Sequence, residues 1–173
     1  MSLGRNCFEM WKFLLGILVV AFGSFCGRFL AKKYRQRKLF FSQLCAFNER
    51  FLTEISYYRR PIREFAIENS YHEEFNELIE EFLENMETAS PTDRNLLRIA
   101  DYVFLNEEEK KMIEDYFLML GKGDSSSQKG YFSSIKDSLS KRASVATEEC
   151  KRYGDLYLKI GFLCGLLVLI LII

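Results

Sequence analysis

Residues 40–58 read FFSQLCAFNERFLTEISYY, and their spacing decides the class of fold. Phe40, Leu44, Phe47, Phe51, Ile55 and Tyr58 recur at steps of 4, 3, 4, 4 and 3, a single apolar stripe on a 3.6-residue helix. The same period continues down the chain. Pro61 interrupts it and opens a short helix through Phe65 and Ile67. Tyr71, Phe75, Leu78, Phe82 and Met86 form the next stripe. Ser90, Pro91 and Asp93 stand as N-cap, first-turn proline and N3 acid before Leu96, Leu97, Ile99 and Ala100. Asn106 and Glu109 repeat that capping logic before Met112, Ile113, Tyr116, Phe117 and Leu120. Beyond the loop GKGDSSSQKG at 121–130, Phe132, Ile135, Leu139, Ala143, Ala146, Cys150, Tyr153, Tyr157 and Ile160 keep steps of three and four. The chain therefore reads as all-α, an antiparallel helical bundle over residues 32–155.

Both flanks of that bundle read as membrane helices. Residues 13–27, FLLGILVVAFGSFCG, carry no charge, and with their neighbours the run at 11–31 is long enough to cross a hydrocarbon core of ~30 Å. Trp11 suits an interfacial belt, and Lys12 and Arg28 can snorkel. A cleaved signal peptide fits less well, because no small-x-small site closes the run. The tail IGFLCGLLVLILII is shorter, and reaches crossing length over 156–173 with Lys159 snorkelling. A re-entrant or partner-buried tail is the alternative. Arg28, Lys32, Lys33, Arg35, Arg37 and Lys38 precede any acid until Glu49, so the positive-inside bias puts the central domain in the cytoplasm and both termini outside. The same cluster can attract anionic membrane lipid. Gly16, Gly23 and Gly27 in the first helix, and Gly161 and Gly165 in the second, have the small-residue spacing that lets helix backbones approach in lipid.

Catalytic chemistry is sought in vain. Five cysteines form no CxxC pair, and His72 is the single histidine, which argues against a zinc site and His-based catalysis. The Lys122–Gly123 neighbourhood lacks the GxxxxGK[ST] order of a phosphate loop. The one basic patch abuts an apolar run, so no nucleic-acid partner is implied. The reading is a non-enzyme with no cofactor. One face stands out: between Glu68 and Glu87 there are eight glutamates and no lysine or arginine. Either it is a solvated face, or Glu73, Glu74, Glu77, Glu80, Glu81 and Glu84 form a docking surface for a basic partner. Gly121, Asp124 and Gln128 fix the turn between two helices, with partner contact as the second reading; Ser125 and Gln128 have capping-box spacing.

Three passages also carry a resemblance. LAKKYRQR after the first apolar helix, LTEISYYRRPIREFA at 52–66 and LGKGDSSSQKGYF at 120–132, completed by the tail YGDLYLKIGFLCGLLVLILI, resemble stage III sporulation protein AB of spore-forming bacteria. Ile62 and Phe65 depart conservatively from the family pattern. The resemblance implies a helical domain like the cytoplasmic domain of type II secretion and type IV pilus platform proteins. It implies a place in the mother-cell membrane facing the forespore, in a channel complex whose AA component is a secretion-type ATPase. A membrane-bound regulatory helical protein outside sporulation is the competing expectation, resting on topology alone.

Overall fold

The computed structural model describes residues 3–58, 60–88, 97–120 and 125–172, with side chains outside 1–15, 73, 87–88, 125 and 171–172. It is helical throughout, and no strand occurs among the described residues. The helices are α1 (Leu3–Thr53), α2 (Ile62–Glu68), α3 (Glu73–Thr88), α4 (Glu107–Met119), α5 (Ser125–Glu149) and α6 (Asp155–Ile172). Two π-helical turns, Glu54–Tyr58 and Cys150–Gly154, follow α1 and join α5 to α6. The chain divides into two compact units: residues 36–146, and the two chain ends, 1–35 with 147–173.

The unit at 36–146 holds the core. Among the described residues, every buried hydrophobic side chain, from Phe40 to Ala146, falls within it. Its centre is aromatic: Phe47 meets the rings of Phe51, Phe65, Tyr71, Phe75 and Tyr116 at centroid separations of 5.4–6.3 Å. Most of these pairs are edge-to-face or tilted, as aromatic quadrupoles favour. Burying a side chain of this size contributes about 1.5–3 kcal/mol, so the stripe of α1 organises the unit. The predicted core members Phe40, Leu44, Phe51, Ile55, Phe65, Phe75, Leu78 and Phe82 are all buried.

Five predicted positions turn outward, Met86 and Ile160 among them, and the other three do so for a local reason. Tyr58 is 67% exposed because the π-helical turn Glu54–Tyr58 rotates the end of the stripe away from its 3.6-residue register. Ile67 lies on the outer side of the two-turn α2, whose Phe65 and Ala66 face inward. Ala100 is exposed in a 3₁₀ turn, Ile99–Asp101, that stands where a longer helix is predicted; only Ile99 is buried there. The predicted cap Ser90, Pro91, Asp93 and the apolar Leu96 lie outside the described residues, as do Gly121 and Asp124.

The buried Asn48, Glu54 and Glu109 side chains of this unit all find partners, whereas the buried Tyr71 hydroxyl has no hydrogen-bond partner among the described residues. Asn48 donates from Nδ2 to the Phe132 carbonyl at 3.2 Å and accepts the Tyr116 hydroxyl at 3.2 Å, tying α1, α4 and α5 together. Burial pushes the Tyr116 phenol well above its ordinary pKa, so it stays a neutral donor. The α4 capping box forms as read: Asn106 Oδ1 accepts the Glu109 N–H at 2.8 Å, and Glu109 Oε2 accepts the Asn106 N–H at 3.1 Å. Glu109 does more, because its fully buried carboxylate also meets Arg37 Nη2 at 2.6 Å and Arg142 Nη1 at 3.7 Å.

In the unit of the chain ends, α1 and α6 run antiparallel through their glycines. A Cβ built on Gly23 would stand 2.6 Å from the Gly161 carbonyl oxygen, and one on Gly27 2.6 Å from the Tyr157 carbonyl oxygen. A Cβ on Gly161 would lie 2.5 Å from the Gly23 oxygen, and one on Gly165 2.8 Å from the Val20 Cα. Gly16 faces the Leu169 side chain. Only the absence of a side chain permits this approach. The outward faces are apolar: Leu18, Phe22, Phe25 and Phe29 are 64–71% exposed. One helical stretch among the described residues, Ser126–Ile170, is long and apolar enough to cross a membrane. The N-terminal run lies within α1, its side chains before residue 16 outside the description, together with those of Trp11 and Lys12.

Candidate functional site

The acidic face is carried by α3, an amphipathic helix whose Phe75, Leu78, Ile79 and Phe82 enter the core. That burial turns the glutamates out by geometry alone. Glu77, Glu80, Glu81 and Glu84 line a groove of about 500 Å³, completed by Asn85, Arg98, Asp101 and Tyr102. Four of the six predicted glutamates therefore share one concave surface. Glu74 does not line it. Glu74 accepts a hydrogen bond from Gln36 Nε2, and the side chain of Glu73 lies outside the described residues.

The far wall comes from a segment that the glutamate pattern does not reveal. The 3₁₀ turn Ile99–Asp101 presents Arg98, Asp101 and Tyr102 to α3. Both Glu81 carboxylate oxygens accept the Arg98 backbone N–H at 3.2 Å, and the Arg98 Nε is 3.8 Å away. The Tyr102 hydroxyl donates to the Glu74 carbonyl at 3.1 Å. Its half-burial, reinforced by the neighbouring Glu77 and Glu81 carboxylates, raises the Tyr102 pKa, so the phenol remains a neutral donor. Glu80 accepts from Asn76 Nδ2 at 2.7 Å. Among the described residues the groove thus holds five carboxylates against one guanidinium, a negative concavity with an aromatic wall.

Among the described residues, no three of His, Cys, Asp or Glu are grouped so as to hold a metal ion. His72 is exposed, and its backbone is clamped by Gln43, whose Oε1 accepts the His72 N–H at 2.6 Å and whose Nε2 donates to its carbonyl at 3.0 Å. Gln128 sits in the first turn of α5, half-buried.

Residues 12–173 match the model of a protein family described as stage III sporulation protein AB. The chain belongs to that family. The match covers almost the whole sequence and takes in both apolar ends as well as the core unit. The stage III sporulation protein AB family sets the role of the chain in sporulation, at its third stage. Neither a curated protein nor a solved structure matches the chain.

Proposed function

We propose that this chain is a non-enzymatic membrane platform subunit of a sporulation complex between mother cell and forespore, which docks a secretion-type ATPase through the acidic groove of α3. The observation that carries the reading is the groove itself. Glu77, Glu80, Glu81 and Glu84 leave the core-facing stripe of α3 and converge on one concave surface. A one-signed concavity steers a basic partner surface and selects against acidic ones. Family membership supports the setting in sporulation. The exposed apolar faces of α1 and α6 support two membrane anchors, and the cations from Arg28 to Lys38 are the ground for reading both termini as outside the cytoplasm and the unit at 36–146 as inside it.

The test is capture of the stage III sporulation AA ATPase by the full-length protein in detergent. Replacing Glu80, Glu81 and Glu84 by lysine reverses the groove's charge, and capture is expected to fall by about tenfold or more, an effect of at least ~1.4 kcal/mol. Circular dichroism of the variant confirms that α3 still folds. Undiminished capture by a folded variant removes the groove from the interface.

A further inference from the structure

The α1–α6 pairing brings together basic residues that are far apart in sequence. The contacts of Val20 with Gly165, Gly23 with Gly161 and Gly27 with Tyr157 set an antiparallel register. Continued along both helices, that register places Lys32 and Lys33 level with Arg152 and Lys151. Arg28 lies four residues, about 6 Å, further toward the apolar ends than Lys32, and Lys159 lies on that side too. At the upper level the helices are joined by aromatic rings: Tyr34 lies 5.4 Å from Tyr153 and 5.8 Å from Tyr157. The Arg152 guanidinium rests 5.5 Å over the Tyr153 ring.

Arg28, Lys32, Lys33, Arg35, Lys151, Arg152 and Lys159 are all exposed. No ion pair joins any of the seven to a described residue. In the unit at 36–146 several cations are paired, Arg37, Arg60, Lys110, Lys136 and Arg142 each meeting a carboxylate. Among the described side chains of this unit, three carboxylates, Glu148, Glu149 and Asp155, stand against the seven cations, leaving a clear positive excess. The register thus assembles a two-tiered basic collar around a tyrosine platform, at the boundary between an apolar hairpin and polar chain.

We infer that this collar binds the phosphates of anionic phospholipids in the leaflet at the charged end of the α1–α6 hairpin, and so selects the lipid around the protein. The inference rests on the reading of α1 and α6 as membrane anchors. Tyrosine rings favour headgroup depth, and two tiers of cations reach phosphate oxygens from both helices at once. Topology alone requires basic residues near one helix end. It does not require two distant segments to deliver them unpaired to one level.

The test reconstitutes the full chain into bilayers of phosphatidylcholine alone, and of equal parts phosphatidylcholine and phosphatidylglycerol. Spin-labelled lipids report the relative association of each headgroup. The native chain is expected to prefer phosphatidylglycerol about fivefold, and added salt should reduce the preference. Changing Lys32, Lys33, Lys151 and Arg152 to glutamine should bring it close to unity. A control that removes equal charge elsewhere, with Lys111, Lys129, Lys136 and Lys141 changed to glutamine, should keep it. Equal preference in the collar variant and the native chain, or none in either, overturns the lipid site and leaves the anchors standing. Failure of the native chain to insert into phosphatidylcholine overturns the anchor reading, and the collar with it.

Discussion

Glu109 shows how much one side chain can decide. It closes the capping box of α4 and, with no exposed surface, holds Arg37 of α1 and Arg142 of α5. Glu109→Ala removes the ion pair between Glu109 and the partly buried Arg37 and takes half of its cap from α4. A loss of about 3 kcal/mol is expected, read as a lower denaturation midpoint at unchanged slope. Glu54 makes the complementary case. Its buried carboxylate accepts Arg60 Nε at 2.9 Å, Nη2 at 2.8 Å and the Arg60 backbone N–H at 3.1 Å. These hydrogen bonds hold its pKa below the usual carboxylate value. The stabilisation is therefore complete above the unfolded pKa of about 4.3 and is lost as pH falls through the lower folded value. Arg60→Met should flatten this acid limb of the stability–pH curve. An unchanged limb would place the acid sensitivity elsewhere. Half of each pairing is legible in sequence: Asn106 and Glu109 have capping spacing, but nothing local links Glu109 to Arg37, 72 residues away.

Glycine means different things in different helices. Gly161 sits where α6 touches α1, and any Cβ would meet the Gly23 carbonyl oxygen at 2.5 Å, well inside ordinary contact. Gly161→Val is expected to cost about 1–3 kcal/mol of helix pairing, measured as a lower unfolding midpoint in lipid nanodiscs. Gly130 lies inside α5 with nothing within 4 Å of its Cβ position. Gly130→Ala should stabilise by up to about 1 kcal/mol through helix propensity and reduced chain entropy. Spacing identifies Gly23, Gly27, Gly161 and Gly165 as candidates for close approach, yet which glycine faces which is set by register alone. The π-helical turns are of the same kind. Neither Glu54–Tyr58 nor Cys150–Gly154 breaks the apolar pattern, and so the outward turn of Tyr57 and Tyr58 is visible only in three dimensions.

Among the described residues the buried hydrophobic core lies within 36–146, so that unit carries the means of its own folding. A fragment spanning 36–146 is expected to be helical and to unfold cooperatively without detergent, with a stability of roughly 5–15 kcal/mol. Circular dichroism and denaturant titration check this. A fragment that stays unfolded until the apolar ends are restored would show that the core depends on them. The acidic groove belongs to this scale too. Its glutamates stand in one sequence stretch, but Arg98, Asp101 and Tyr102 close it from another, and no spacing rule connects the two.

The sequence by itself determined the helical class, the core-facing stripes of α1, α3, α4 and α5, the cap of α4 and the apolar ends. Each is written in a period of 3.6 residues, a short capping motif or an uncharged run, all of which are local. Only the tertiary structure decided the Arg37–Glu109–Arg142 cluster, the concavity on α3, the glycine register and the level to which two basic segments are brought. These depend on contacts between residues tens to more than a hundred positions apart. Such contacts form because apolar burial fixes the relative placement of whole helices, and the polar groups then meet the neighbours that placement provides.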